Sequence, residues 1–321
     1  MDVVLRLAVL TLAACALNAG AQNHPTKSIR LIVPWAPGGN VDITGRIIGA
    51  ALTESLGQTV VVDNRAGGGG TIGASMVAKS APDGYTLLMG SSGSVTAGPA
   101  VYANMPYDPV KDFAPVGMVQ IVPMVVVVNP KVPVNNLREL IALGKERMGK
   151  ITMASSGTGS SNHLAIELFN TMAGVKFIHV PYKGSGPALA ELLGGQVETM
   201  IDQLTSSIGF IRDGRLKAIA VTTNVRSSVM PNIPTLDEAG LKGFEANTFT
   251  GILAPAASPI AVIERLHSDI LKALRTAGVK EKFQSLGADP QERSVREFGD
   301  FIRADLAKWK KVGAAAGVRV E

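Results

Sequence analysis

A short β-branched run that ends in a Pro/Gly loop and opens into an apolar-periodic helix occurs twice in this chain. The first copy is Leu31-Ile-Val-Pro-Trp-Ala-Pro-Gly-Gly-Asn-Val-Asp42, with the helix beginning near Val41. The second, 120 residues further on, is Ile151-Thr-Met-Ala-Ser-Ser-Gly-Thr-Gly-Ser-Ser-Asn162, before a helical run over His163 to Thr171. A strand that delivers its loop onto a helix N-terminus makes an anion site. Free N–H groups and the positive end of the helix dipole converge there, worth ~0.3–1 kcal/mol and up to ~2 when partly buried. Two such sites imply two lobes able to grip an anion between them.

The N-terminus reads as a leader rather than as part of the fold. Arg6 gives a positive start, Leu7 to Leu17 is apolar, and Ala19-Gly-Ala21 matches a cleavage pattern that leaves Gln22 as the mature N-terminus. The run is too short to span a bilayer, which takes ~20 apolar residues. Leu12-Ala-Ala-Cys15 gives the competing reading, a lipoprotein anchored at Cys15. Beyond residue 21 there is no cysteine, which excludes disulfide and thiolate chemistry. A chain of 321 residues without such staples must rely on its own core, and this length suggests two domains. The net charge is +5, but Lys and Arg are scattered and aromatic residues make up only 5%. Neither a basic face nor a stacking platform for nucleic acid emerges.

Strand-like and helix-like runs alternate, as expected for parallel sheets with helices on both faces. Ile29 to Val33, Thr59 to Val62 and Tyr85 to Met89 read as strands, with helices over Ile43 to Leu56 and Ile72 to Lys79. Gly90-Ser-Ser-Gly-Ser94 reads as a loop. Pro123 to Pro130 reads as a buried strand, and a new series follows. It comprises helices over 136–145, 163–171 and 187–193, and strands over 151–154, 176–180, 197–201 and 216–221. The tail has helices over 260–276, 279–286 and 294–312, the last opened by a capping box of Ser294 and Glu297. The second series reads as an insertion, giving lobe 1 over 22–123 and 246–321 and lobe 2 over 124–245. The chain then crosses twice between lobes, forming a hinge, with the ligand cleft at the carboxyl ends of the strands.

Several motifs in order resemble one family. They are Val33-Pro-Trp-Ala-Pro-Gly-Gly with Asp42, Leu56-Gly-Gln-Thr-Val-Val-Val-Asp-Asn-Arg-Ala-Gly-Gly-Gly-Gly70, Pro82-Asp-Gly-Tyr-Thr-Leu87, and Lys111-Asp-Phe-Ala-Pro-Val116. Ser155-Ser-Gly-Thr-Gly159, His163-Leu164, His179-Val-Pro-Tyr-Lys-Gly184, Gly195-Gln-Val-Glu198, Pro234-Thr235 with Glu238-Ala-Gly240, and Ala254-Pro255 continue the series. The chain resembles the tripartite tricarboxylate transporter receptors, also called Bug proteins. The resemblance implies an α/β, type II periplasmic-binding-protein fold and a monomeric periplasmic receptor without cofactor or metal. It also implies a small carboxylate ligand, whether dicarboxylate, hydroxytricarboxylate, amino acid or aromatic acid. The partners it implies are membrane permease subunits, with a sensor protein as the alternative. It further implies that the loops after the first and the 151–154 strands face each other and hold carboxylates, a role that falls on Gly39, Asn40, Ser156 and Thr158.

Other residues enter as candidates by position. Trp35 suits a cleft wall, where it would stack on a flat or aliphatic ligand, although a core role fits as well. Asp42 lies in the first helical turn, where a carboxylate caps N–H groups. Asp202 ends a strand and points toward the expected cleft, where it would accept from a ligand hydroxyl or ammonium. Ser91 and Ser92 end another strand and offer hydroxyls, Arg65 follows a strand, and Tyr182 and Lys183 lie near the second lobe's cleft edge. Enzymatic readings fare poorly. Gly68-Gly-Gly-Thr-Ile-Gly73 matches G-x-G-x-x-G, but the next strand ends in Gly90-Ser-Ser92 without the acid a dinucleotide site needs. There is no G-x-S-x-G elbow, Ser160 and His163 lack a third member, and His163 with Glu167 is too few ligands for zinc.

Overall fold

The computed structural model describes residues 24–321; the expected leader, its cleavage point after Ala21 and Cys15 lie outside the described residues. Along the chain the first elements are β1 (Ile29–Val33), α1 (Asn40–Leu56), β2 (Val60–Asn64), α2 (Thr71–Ala78), β3 (Thr86–Ser91), α3 (Gly98–Val101), β4 (Phe113–Val128) and α4 (Leu137–Glu146). The second series is β5 (Thr152–Ser155), α5 (Ser161–Ala173), β6 (Ile178–Pro181), α6 (Ser185–Gly194), β7 (Thr199–Gln203), α7 (Leu204–Arg212) and β8 (Lys217–Val221). The chain closes with β9 (Asn247–Pro255), α8 (Ile260–Arg275), α9 (Ala277–Ser285), β10 (Asp289–Pro290) and α10 (Val295–Ala315).

One strand belongs to two sheets. β1 pairs in parallel with β2 and β3, and β9 runs antiparallel between β3 and the first part of β4, ending at the Pro123–Asn247 pair. From Met124 onward, β4 pairs instead with β7 and β8, while β7, β5 and β6 lie parallel. Met124 to Val128 is fully buried, as a strand covered on both faces requires. The sequence expectation of a strand beginning at Pro123 is therefore too short. β4 starts ten residues earlier, at Phe113, because Pro115 sits at a register shift where a missing N–H does little harm.

Two further elements depart from expectation. The Gly90–Ser94 loop is the end of β3 followed by a π-helical turn, Ser92–Ala97, which runs into α3. Helix α7 also went unread, because its polar start, Thr205-Ser-Ser207, looks like a turn. Its Ser206 and Ser207 hydroxyls instead fold back onto Asp202, each at 2.6 Å.

The helix signals behave as their chemistry dictates. Gly57 closes α1 in the left-handed conformation (φ 67°), its N–H donating to Thr53 O. At α10, Glu297 N–H donates to Ser294 Oγ at 3.3 Å and Ser294 N–H to Glu297 Oε2 at 2.8 Å. That helix lays Phe298 edge-on against Phe249 of β9. In the second series, His163 of α5 stacks on His179 of β6, with ring centroids 4.0 Å apart and planes at 15°. Gly159 N–H donates to His163 Nδ1 at 3.1 Å, so that nitrogen carries no proton. Burial pushes His163 down to about 4; burial and the neighbouring His163 push His179 down to about 3.

Two outcomes follow for stability. Ser294→Ala removes one half of the capping box and should lower the unfolding free energy in urea by ~1 kcal/mol. For the histidine pair, the unfolded rings titrate near ~6.5, so the unfolded chain takes up protons first as pH falls. The stabilisation is complete above that pH and is lost as pH drops through about 4 and then about 3. Urea unfolding between pH 7 and pH 4 should therefore show stability falling by up to ~1.4 kcal/mol per pH unit for each differing proton. A His163→Gln/His179→Gln double variant should show a shallower slope.

Candidate functional site

The carboxyl ends of the strands from both sheets enclose an inner cavity of about 20 Å³. Its wall contains Trp35, Gly39, Asn40 and Val41, then Ser91 at the end of β3 and Ser156 after β5. Ser161, Asn162, Ser185 and Gln203 complete it. Helices α1, α5 and α6 therefore all begin at this one point. α1 is capped by Gly39 and α6 by Gly184, neither with a side-chain cap, so their leading N–H groups remain unspent. Among the described residues, no charged side chain lines the cavity.

The direction of each hydroxyl and amide follows from its partners. Asn40 is only 2% exposed; its Oδ1 accepts from Gln120 Nε2 at 2.8 Å, while its Nδ2 has no partner. A buried donor left unmade costs ~1–3 kcal/mol, so this amide is a ready donor to whatever occupies the cavity. Ser91 Oγ accepts from Trp35 Nε1 at 3.3 Å, leaving its own hydrogen free. Across the cavity the hydrogens are already used. Ser156 donates to Asn162 Oδ1 at 2.7 Å and Ser185 to Asp202 Oδ1 at 2.6 Å. Asn162 Nδ2 is fixed to Ile201 O at 2.7 Å.

Outside this nest lies a larger chamber of about 610 Å³, which shares Trp35 and Ser156 with it. Tyr102, Tyr182, Pro181, Pro187, Thr158, Lys183 and the Gly67–Gly69 loop are among its walls. Two hydrogen bonds join the lobes across it: Ala36 N–H to Lys183 O at 3.0 Å, and Tyr102 Oη to Thr158 O at 2.9 Å. The backbones approach too closely for side chains. A Cβ on Gly69, which sits at φ +60°, would run into the Thr158 carbonyl oxygen, and one on Gly186 would run into Pro37 O.

Several candidates thus come together, and others do not. Trp35, Gly39, Asn40, Ser91 and Ser156 share the inner cavity, while Thr158 lines only the outer chamber. Loops 35–40 and 156–160 lie on opposite walls of the inner cavity, and their direct packing partners lie elsewhere. The first loop packs on the start of α6, whereas loop 156–159 meets the Gly67–Gly70 loop and Tyr102.

Asp42, Ser92 and Asp202 are not among the residues that line the inner cavity. Asp42 is buried with its oxygens held by Arg46, by Gly38 N–H at 3.0 Å and by Asn64 Nδ2 at 3.0 Å. Burial alone would push its carboxyl up; Arg46, Gly38 and Asn64 together hold it below the usual carboxylate range. Ser92 Oγ accepts from Phe249 N–H at 3.1 Å. Asp202 is fully buried behind Ser185, and burial pushes its carboxyl up against the three serine donors. Arg65 pairs with Asp63 at 2.9 Å, and Ser160 Oγ caps α5 by accepting from His163 N–H, so it is not paired with that ring as a nucleophile.

Sequence reasoning missed Tyr102, Asn162, Ser185, Gln203 and the Gly67–Gly69 loop. A signal existed for Ser185: Pro181-Tyr-Lys-Gly-Ser-Gly-Pro187 is another strand–loop–helix passage.

Comparison with known proteins agrees with this architecture. The tripartite tricarboxylate transporter family receptor profile matches residues 44–318. Protein BugT of Bordetella pertussis is 39% identical over 310 residues, covering 96% of this chain and 95% of that protein. R. palustris Rpa4515 with adipate superposes with a TM-score of 0.90 at 36% identity, covering 92% of this chain and 99% of that one. MatC (Rpa3494) from Rhodopseudomonas palustris with bound malate gives 0.87 at 32% identity, covering 90% and 99%. The fold is the two-lobed α/β architecture of periplasmic binding proteins. By profile, sequence and fold alike, the chain belongs to the tripartite tricarboxylate transporter receptor family, the Bug-type solute-binding proteins.

Proposed function

We propose that this receptor captures a small carboxylate between its two lobes, residues 22–123 with 246–321 and residues 124–245, and presents the closed form to permease subunits in the membrane. The observation that carries the reading is the inner cavity, where uncapped helix starts converge with the unpartnered Asn40 amide and no acidic side chain intrudes. Such a nest favours an anion without needing a cation. The relatives with adipate and with bound malate support a carboxylate as the occupant. Nothing in this arrangement activates a nucleophile, and in this reading the receptor binds without turnover.

Closure is part of the function. A ligand seated where the lobes meet makes its full set of contacts only in the closed form and shifts the population toward it.

Two measurements test this reading. Calorimetry on unfolded-then-refolded protein, which removes any ligand carried through purification, should detect binding of at least one member of a panel of dicarboxylates, hydroxy acids, amino acids and aromatic acids. Asn40→Asp keeps the acceptor for Gln120 but replaces the free donor with an acceptor. It should cut affinity for that acid by about tenfold or more, as expected for losing a hydrogen bond to a charged group. Undiminished binding would remove the nest from the argument. Separately, Gly69→Ala should leave the lobes folded but hinder their approach. Affinity should drop while small-angle scattering shows the acid failing to compact the molecule.

A further inference from the structure

The nest accounts for one end of a ligand, but the chamber beyond it is about thirty times larger by volume and has a different chemistry. Its walls are mostly flat or apolar: Trp35, Tyr102, Tyr182, Pro181 and Pro187. Among the described residues lining either compartment, Lys183 alone carries a charge. Its ammonium takes part in no ion pair or side-chain hydrogen bond among the described residues, unlike Arg30, Arg46 and Arg65, which pair with Asp63, Asp42 and Asp63.

The backbone holds Lys183 in position. Its carbonyl accepts from Ala36 N–H at 3.0 Å, and Gly184, at φ +144°, turns the chain directly into α6. This anchor is itself a contact between lobes. Lys183 is among the residues lining the chamber, and an anion its side chain meets there while the cleft is closed adds affinity for that closed form.

We propose that Lys183 is the specificity-determining residue of the cleft. It takes the second carboxylate of an elongated diacid whose first carboxylate occupies the inner nest and whose aliphatic or aromatic spacer lies against Trp35 and Tyr102. The assignment rests on the carboxylate reading above and adds the identity of the far end. A neutral or cationic far end gains nothing from Lys183, so the residue sorts diacids from monoacids of the same length. The long lysine stem suits this task, because a flexible point charge follows spacers of different length where a fixed guanidinium fork would not.

The test compares matched pairs, hexanoate with adipate and benzoate with terephthalate, by calorimetry on refolded protein. Wild type should bind the diacid of at least one pair about two- to fivefold tighter than its monoacid, the gain expected from an ion pair with an exposed ammonium. That preference should shrink as salt is raised. Lys183→Met should weaken the diacid more than the monoacid and so abolish the preference between them, and Lys183→Arg should keep a preference for the diacid. Lys183 is exposed, and circular dichroism of each variant verifies folding. A diacid preference that survives Lys183→Met, or monoacids bound as well as diacids in wild type, overturns the assignment but leaves the nest standing. If no acid of either kind binds wild type, the carboxylate reading falls and this assignment with it.

Discussion

An N–H at the start of a helix has no acceptor within that helix, and this cleft is built by aiming several such starts at one point. Glycine caps make this possible. A Ser, Asp or Asn at position 39 or 184 would fold its side chain onto the N–H groups and consume them; Gly39 and Gly184 leave them available. The polar side chains around the nest are arranged to the same end. The two carboxylates closest to it are each engaged elsewhere, Asp42 with Arg46 and Asn64, Asp202 with three serine hydroxyls. Negative charge is thereby kept out of a site whose own potential is positive without any cation.

That arrangement depends on how closely two lobes approach. β4 is one strand in two sheets, so it joins the lobes along its length, and they meet elsewhere through loops. At two points of the seam the backbones approach too closely for a side chain: Gly69 against Thr158, and Gly186 against Pro37. Few direct bonds hold this closure, with Ala36 to Lys183 and Tyr102 to Thr158 the clear examples. In the proposed function, an occupant that contacts both sides would add to what favours the closed form.

Local order was legible in the sequence; mutual arrangement was not. The strand–loop–helix grammar identified α1 and α5, and the spacing of Ser294 and Glu297 identified the capping box, because those signals lie within a few residues of one another. Pro123 misled because a proline that would break a central ladder is harmless where pairing changes from β9 to β7. Position at a strand end correctly brought Ser91 to the cavity but also nominated Ser92 and Asp202. Which atom faces the cleft is decided by partners 157 and 17 residues away, Phe249 and Ser185. The pairing of loop 35–38 with the start of α6 is likewise a property of the closed molecule and leaves no trace in either segment alone.

The hydroxyl directions give the cavity two unlike sides. On the side of β1 and β3, Asn40 Nδ2 and the Ser91 hydroxyl have hydrogens to give. On the side of β5 and β7, Ser156 and Ser185 have already given theirs, to Asn162 and Asp202, and present lone pairs. The proposed carboxylate, which only accepts, would satisfy the first side directly and meet the second through backbone N–H groups at the starts of α5 and α6. The lone pairs of Ser156 and Ser185 then call for a donor, supplied by a water or by a ligand hydroxyl or ammonium. Asp202, by taking the Ser185 hydrogen, leaves that serine an acceptor on its side of the cavity.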